Sequence, residues 1–220
     1  MSRPTYLPTN TLSGAGVELQ NTSLLDFWKW AFSDLCDDDL KGIFAEWLVL
    51  KLLGIPGVRR VSWSNSDIIT PDGVRVEVKS SAYWQSWKLM DEMGITRPTP
   101  LYPVSDKTQI RFSGLKARGG VVPTSTEPQV FKSQVYLFAF QHEKEIERWN
   151  AMDLSQWEFY ALPGSILSKL SWRSISLLTL RAEQHRLSGH EVLTAESFAN
   201  VARTLIEVAA KDIQSNTGAE

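Results

Sequence analysis

Two acidic residues and a lysine flank a predicted turn. Asp67 precedes the tripeptide Pro71-Asp72-Gly73, and Glu77 and Lys79 follow it. The segments on both sides of the tripeptide are rich in β-branched residues, which predicts the two strands of a β-hairpin. Proline sets the backbone of the first turn position, aspartate suits the second, and glycine accepts a left-handed conformation, so a three-residue loop is expected.

This turn predicts which residues of the two strands face each other. Counting outward from it, Ile69 is opposite Arg75 and Asp67 is opposite Glu77, while alternation places Lys79 on the same face as both carboxylates. Directly opposed like charges are destabilising. A Mg²⁺ ion, which prefers carboxylate oxygens, would reverse that effect, and a nearby lysine could help to orient a hydrolytic water. The alternative is a solvated strand face on which Glu77 and Lys79 form an ordinary surface pair.

Asp67, nine intervening residues and Glu77-Val78-Lys79 together resemble the PD-(D/E)xK motif of the restriction-endonuclease-like nucleases. Serine replaces the proline that leads the motif. A narrower resemblance, to a family of uncharacterised bacterial proteins in that superfamily, extends from about Leu24 to about Leu180. It implies that Asp67 and Glu77 bind the metal ion, that the Val78 main-chain carbonyl is a further ligand, and that Lys79 supports the attacking water.

Another carboxylate, Glu46, lies in the middle of a helix predicted from about Leu40 to Leu53. That helix is apolar nearly all round and is therefore expected to be buried. A buried carboxylate needs a cation or a hydrogen-bonding partner. Many members of the superfamily carry a glutamate on the helix before the hairpin, which implies that Glu46 completes the metal site or binds a second ion. A salt bridge to Arg59, Arg60 or Lys51 is the alternative.

Nucleic-acid contacts are predicted at five further residues. The best basic patch comprises Lys107, Arg111, Lys116 and Arg118. Phosphate contact is its functional interpretation, and a solvated surface is the alternative. Gln85 follows Lys79 closely, at a place where a polar residue often contacts DNA in the related nucleases. The nine tryptophans are expected in the core or lining a groove, with stacking on unpaired bases as the alternative.

The composition sets outer limits on the protein's class. With 220 residues, of which 43% are hydrophobic, the chain can form one domain with a sizeable core. Its net charge of −2 means that a DNA-binding surface must be a local basic patch. The single cysteine excludes an internal disulfide framework and a zinc cluster of cysteines. Neither a membrane span nor a signal-peptide apolar region is visible, so a cytoplasmic protein without a membrane partner is expected.

Several other elements are predicted from periodicity and capping signals. Ser23 should cap a helix that reaches about Leu35 and packs one apolar face, and Thr194 should cap a long amphipathic final helix. Another helix should begin near Gly164. The remaining predicted strands cover residues 58–63, 108–112, 134–140 and 156–162, of which 134–140 should be central.

The expected fold is α/β with a restriction-endonuclease-like core, in which helices flank both faces of a mixed central β-sheet. Residues 1–22 should form an N-terminal arm, 23–214 a single nuclease-like domain, and 215–220 a disordered tail. The final helix packs on the domain or forms a homodimer interface. The predicted function is Mg²⁺-dependent hydrolysis of phosphodiester bonds in DNA, with Mn²⁺ as a substitute ion. A catalytically silent nucleic-acid-binding protein and a structural partner of a larger complex are the alternatives.

Overall fold

The structure is a computed structural model that describes residues 6–14, 17–56, 60–61, 64, 66–84, 110–118, 128–170 and 173–217. In chain order its helices are α1 (Leu24–Phe32), α2 (Asp38–Leu53), α3 (Gly164–Leu170), α4 (Leu177–Ser188) and α5 (Ala195–Thr217). Its strands are β1 (Thr11–Gly14), β2 (Val17–Ser23), β3 (Ile68–Ile69), β4 (Arg75–Ala82), β5 (Arg111–Phe112), β6 (Ala117–Arg118), β7 (Gln129–Val130), β8 (Val135–Gln141), β9 (Trp157–Pro163) and β10 (Ile175–Ser176).

The central sheet has the strand order β3-β4-β8-β9. β3 and β4 are antiparallel, β4 and β8 are parallel, and β8 and β9 are antiparallel, so the sheet is mixed as predicted. All seven residues of β8 are buried, which is typical of a strand covered on both faces. The prediction of a central strand at 134–140 is therefore confirmed, with a shift of one residue.

Helices cover both faces of this sheet because side chains alternate along its strands. On one face, α2 and α5 pack on Val76, Val78 and Leu137. On the other, α3 and α4 pack with Phe138 and Leu162. An α/β fold with a mixed sheet between helices is thus confirmed, while its assignment to the restriction-endonuclease-like core stays a prediction.

The N-terminal part of the chain differs from expectation in its packing. The capping box of α1 is present, because Ser23 and Asp26 bond to each other's backbone N–H groups. The predicted burial of one α1 face is wrong, since no α1 residue is buried and Trp30 is 85% exposed. The segment that was expected to be an arm contains a hairpin formed by β1 and β2, and α1 follows this hairpin directly.

Several other elements end a few residues away from their predicted boundaries. α5 continues to Thr217, into the expected tail. The strand predicted at 58–63 is not seen at Arg60 and Val61, and its other residues lie outside the described part of the chain. β4 extends to Ala82. Within the described residues, no helix has the length and apolarity needed to cross a membrane.

Two glycines provide a test of the packing around α3. A Cβ at Gly164 would lie 2.4 Å from the Ser133 carbonyl oxygen, so Gly164→Ala should destabilise the fold by roughly 1–3 kcal/mol. The matched control is Gly42→Ala in α2, where a Cβ would meet nothing within 4 Å. That change should stabilise the protein by roughly 0.5–1 kcal/mol through helix propensity. Urea unfolding measures both, and equal effects would contradict this account.

Candidate metal centre

The hairpin that carries the candidate site has the predicted register. Gly73 adopts a left-handed φ of 81° and donates to the Thr70 carbonyl oxygen at 2.9 Å, which closes the turn. Ile69 pairs with Arg75 and Ile68 with Val76. This pairing confirms the count on which the opposition of Asp67 and Glu77 was based.

Asp67 lies just before β3, at the exposed edge of the sheet. Its Oδ2 accepts a hydrogen bond of 2.7 Å from the Val78 N–H. The carboxylate thereby replaces the backbone carbonyl that would accept the Val78 N–H if the antiparallel pairing of β3 and β4 continued. Because the N–H and C=O of one strand residue point to the same side, the Val78 carbonyl is also directed to this edge.

Glu77 and Lys79 form an ion pair on the face of β4 that lies beside Tyr136 and Phe138 of β8. The Lys79 Nζ lies 2.7 Å from the Glu77 Oε1, and the two side chains are 22% and 18% exposed. Glu77 is opposite Tyr136 in the parallel pairing with β8. The pKa of the Tyr136 phenol is raised to about 12, mainly by burial and to a smaller extent by the charge of Glu77.

The Asp67 carboxyl has the most informative ionisation of the site. Its pKa is raised from 3.8 to about 6, first by burial and then by the charge of Glu77. Glu46 also raises it, whereas the Val78 hydrogen bond and the Lys79 charge lower it. Glu46, Glu77 and Lys79 are therefore close enough to Asp67 to affect its ionisation.

Glu46 has a cationic partner of its own. The Arg60 guanidinium donates to both carboxylate oxygens, at 2.5 and 2.9 Å. The Glu46 side chain is only 13% exposed, so this bidentate pair supplies the partner that its burial requires. The salt-bridge alternative thus holds. The pair also lies near Asp67, because the pKa of Arg60 is raised first by the Glu46 hydrogen bond and, to a smaller extent, by the charge of Asp67.

A divalent cation fits the donors at this edge only in part. In the described part of the chain, no three His, Cys, Asp or Glu side chains are gathered into a group that could hold a metal ion. The available donors are the carboxylates of Asp67 and Glu77, with the Val78 carbonyl directed to the same edge. After burial, the charge of Glu77 is the main cause of the raised pKa of Asp67, and a hard cation would relieve that repulsion. Glu46 would first have to leave Arg60.

Two of the five predicted nucleic-acid contacts can be located by their side chains. Arg111 is exposed and donates to the Ser174 hydroxyl. The Lys116 ammonium lies 5.1 Å from the centroid of the Phe131 ring. Arg118 ends β6, but its side chain, like the whole of Gln85 and Lys107, lies outside the described residues.

The segment that carries Arg111 and Lys116 lies over the face of Glu77 and Lys79. Phe112 and Leu115 pack on the same side of the sheet as Phe138. A Cβ at Gly114, between them, would come within 3.7 Å of the Lys79 Nζ. Sequence reasoning missed Gly114 and Tyr136 as neighbours of the site, because no local pattern indicates contacts across so many residues.

Comparison with known proteins identifies no relative: no family model matches the chain, and no curated protein or solved structure is significantly similar.

The raised pKa of Asp67 predicts a pH-dependent stability. Below about pH 4 the carboxyl is protonated in both folded and unfolded chains. As the pH rises to about 6, the unfolded chain loses this proton first, so the Asp67 contribution to stability falls. In EDTA, Asp67→Asn should therefore stabilise the protein at pH 7.5 by on the order of 2 kcal/mol, about 4–8 °C in Tm, with a much smaller gain at pH 4.

Asp72→Asn, in the exposed turn of the same hairpin, is the matched control and should shift Tm little at either pH. Thermal unfolding across this pH range measures both variants against the wild type. An Asp67→Asn gain that is equal at pH 4 and pH 7.5 would show that the effect does not arise from ionisation.

Proposed function

We propose that this protein is a Mg²⁺-dependent nuclease that hydrolyses phosphodiester bonds in DNA. The observation that carries the proposal is a half-buried Asp67 carboxylate bonded to the Val78 N–H close to Glu77, Glu46 and Lys79, with a pKa raised first by burial and then by the charge of Glu77. A fold gains no stability from crowded carboxylates. A hard cation, in contrast, binds to carboxylate oxygens, and the Lys79 ammonium would attract a phosphate.

Each residue of the site has a distinct role in this proposal. Asp67 and Glu77 would hold the ion, with the Val78 carbonyl as a further ligand, and Glu46 would complete the site if Arg60 released it. When bound, Mg²⁺ supplies Lewis-acid stabilisation of the charge that develops on the phosphate. The Val78 N–H orients the Asp67 carboxylate. Lys79 moves from Glu77 to orient the attacking water.

The direction from which DNA approaches follows from the segment over the site. Gly114 has no side chain to cover the Lys79 ammonium, and a Cβ there would lie 3.7 Å from it. Arg111 and Lys116, on either side of Gly114, would contact phosphates that flank the scissile one.

A catalytically silent nucleic-acid-binding protein is the second candidate. Two observations favour it: Lys79 already neutralises Glu77, and Arg60 already neutralises Glu46. In that case neither carboxylate needs a metal ion. Mn²⁺ binding that disappears in Asp67→Ala separates the two candidates.

The decisive experiment combines Mn²⁺ titration with a cleavage assay on DNA and RNA substrates. Lys79→Ala should lose about 100- to 10,000-fold in cleavage rate, because a group that acts on the attacking water is removed. It should still bind Mn²⁺, since the carboxylates remain. Glu77→Ala should lose both cleavage and Mn²⁺ affinity. Glu183→Ala, which removes a surface pair with Arg186, is the control and should change neither.

If Glu77 and Lys79 are only a surface pair, each variant should shift stability by at most about 1 kcal/mol and leave cleavage unchanged. Undiminished cleavage by Lys79→Ala would remove the lysine from the mechanism. Equal Mn²⁺ affinity of Glu77→Ala and wild type would remove the metal site.

A further inference from the structure

A groove of about 710 Å³ opens beside Asp67, between α2 and the segment that leads into β3. Partly exposed apolar side chains line it, among them Ile43 and Trp47 from α2 and Ile69 from β3. Asp67 and the Glu46–Arg60 pair form its polar end. The groove is therefore continuous with the candidate metal centre and differs from it in chemistry.

The walls of this groove suit a flat apolar group better than a phosphodiester backbone. A track for phosphates needs cations and N–H donors. Here Trp47 is 46% exposed in the middle of a helix whose neighbouring turns supply the core. A large, accessible indole beside a site for phosphate chemistry is the type of surface on which nucleobases stack.

Two residues of α2 provide complementary contacts for a nucleotide. Trp47 and Lys51 are four residues apart and share one face of the helix. The Lys51 Nζ lies 5.8 Å from the centroid of the Trp47 ring. A base stacked on the indole would place its own phosphate within reach of this ammonium. The groove is also lined by Ser66, whose hydroxyl is buried and makes no hydrogen bond in the described structure.

We infer that this groove holds one unpaired nucleotide of the DNA substrate, with its base stacked on Trp47 and its phosphate near Lys51. The inference rests on the proposed nuclease function and specifies its substrate class. A base in a duplex must leave its stack and its pairing partner before it can enter, whereas an unpaired base has no such cost. The preferred substrates are single strands, flaps and frayed ends.

Binding in EDTA tests the inference without any cleavage. Fluorescence anisotropy with a labelled oligothymidylate gives the affinity of the full chain for single-stranded DNA. Trp47→Ala should weaken it roughly 5- to 150-fold, as expected for one lost base stack. Trp47→Phe, which keeps an aromatic face, should recover most of the affinity. Lys51→Gln should reduce the slope of log K against log salt by about 0.7.

The controls separate stacking from general effects on the fold. Trp30→Ala removes an exposed indole on α1, outside the groove, and should leave binding unchanged. An intact blunt duplex should bind wild type and Trp47→Ala equally. Single abasic sites placed in turn along the oligonucleotide should include one that weakens binding to wild type but not to Trp47→Ala.

Several results would overturn the inference: no binding of single-stranded DNA, equal affinities of wild type and Trp47→Ala, or equal losses for single strand and duplex. If Trp47→Ala does not fold, the abasic series on wild type and Trp47→Phe decides in its place. Failure of the nuclease proposal is a separate result, since it is seen as unchanged cleavage in Lys79→Ala and Glu77→Ala while the EDTA binding data stand.

Discussion

The hydrogen bond from the Val78 N–H to the Asp67 carboxylate is the contact on which the geometry of the site depends. It fixes Asp67 at the point where the pairing of β3 and β4 ends, and thereby holds its charge near Glu77 and Glu46. The bond lowers the pKa of Asp67, but burial and the two neighbouring carboxylates raise it by more. The edge of the sheet is thus an anionic position that the protein neutralises with Lys79 and Arg60.

This arrangement gives the Lys79 ammonium and the Arg60 guanidinium two roles each. In the absence of a divalent ion they make the carboxylates tolerable in a half-buried place, because a buried charge without a partner is costly. In the proposed reaction, the same groups must exchange partners, Lys79 towards water and Arg60 away from Glu46. The nuclease and the silent binding protein differ in whether that exchange takes place, and their common fold does not distinguish them.

The site also depends on chain segments that meet only through the central sheet. The parallel pairing of β4 with β8 sets Glu77 beside Tyr136, and the residues after β5 cover the same face near Lys79. On the opposite side of Asp67, α2 contributes both the Glu46–Arg60 pair and the exposed ring of Trp47. One carboxylate therefore lies between the polar face that carries Glu77 and Lys79 and the apolar groove that carries Trp47.

The sequence by itself determined the hairpin, its register and the helices capped by Ser23 and Thr194, because turn geometry, capping and periodicity act over a few residues. It also indicated that β8 is central, through the uniform apolarity of that strand. The tertiary structure alone decided that Glu46 pairs with Arg60, that Gly114 approaches Lys79 and that Trp47 and the aromatic face of α1 stay exposed. Amphipathic patterns show that a face is apolar, but what covers it depends on segments distant in sequence, whose approach is set by the packing of the whole sheet.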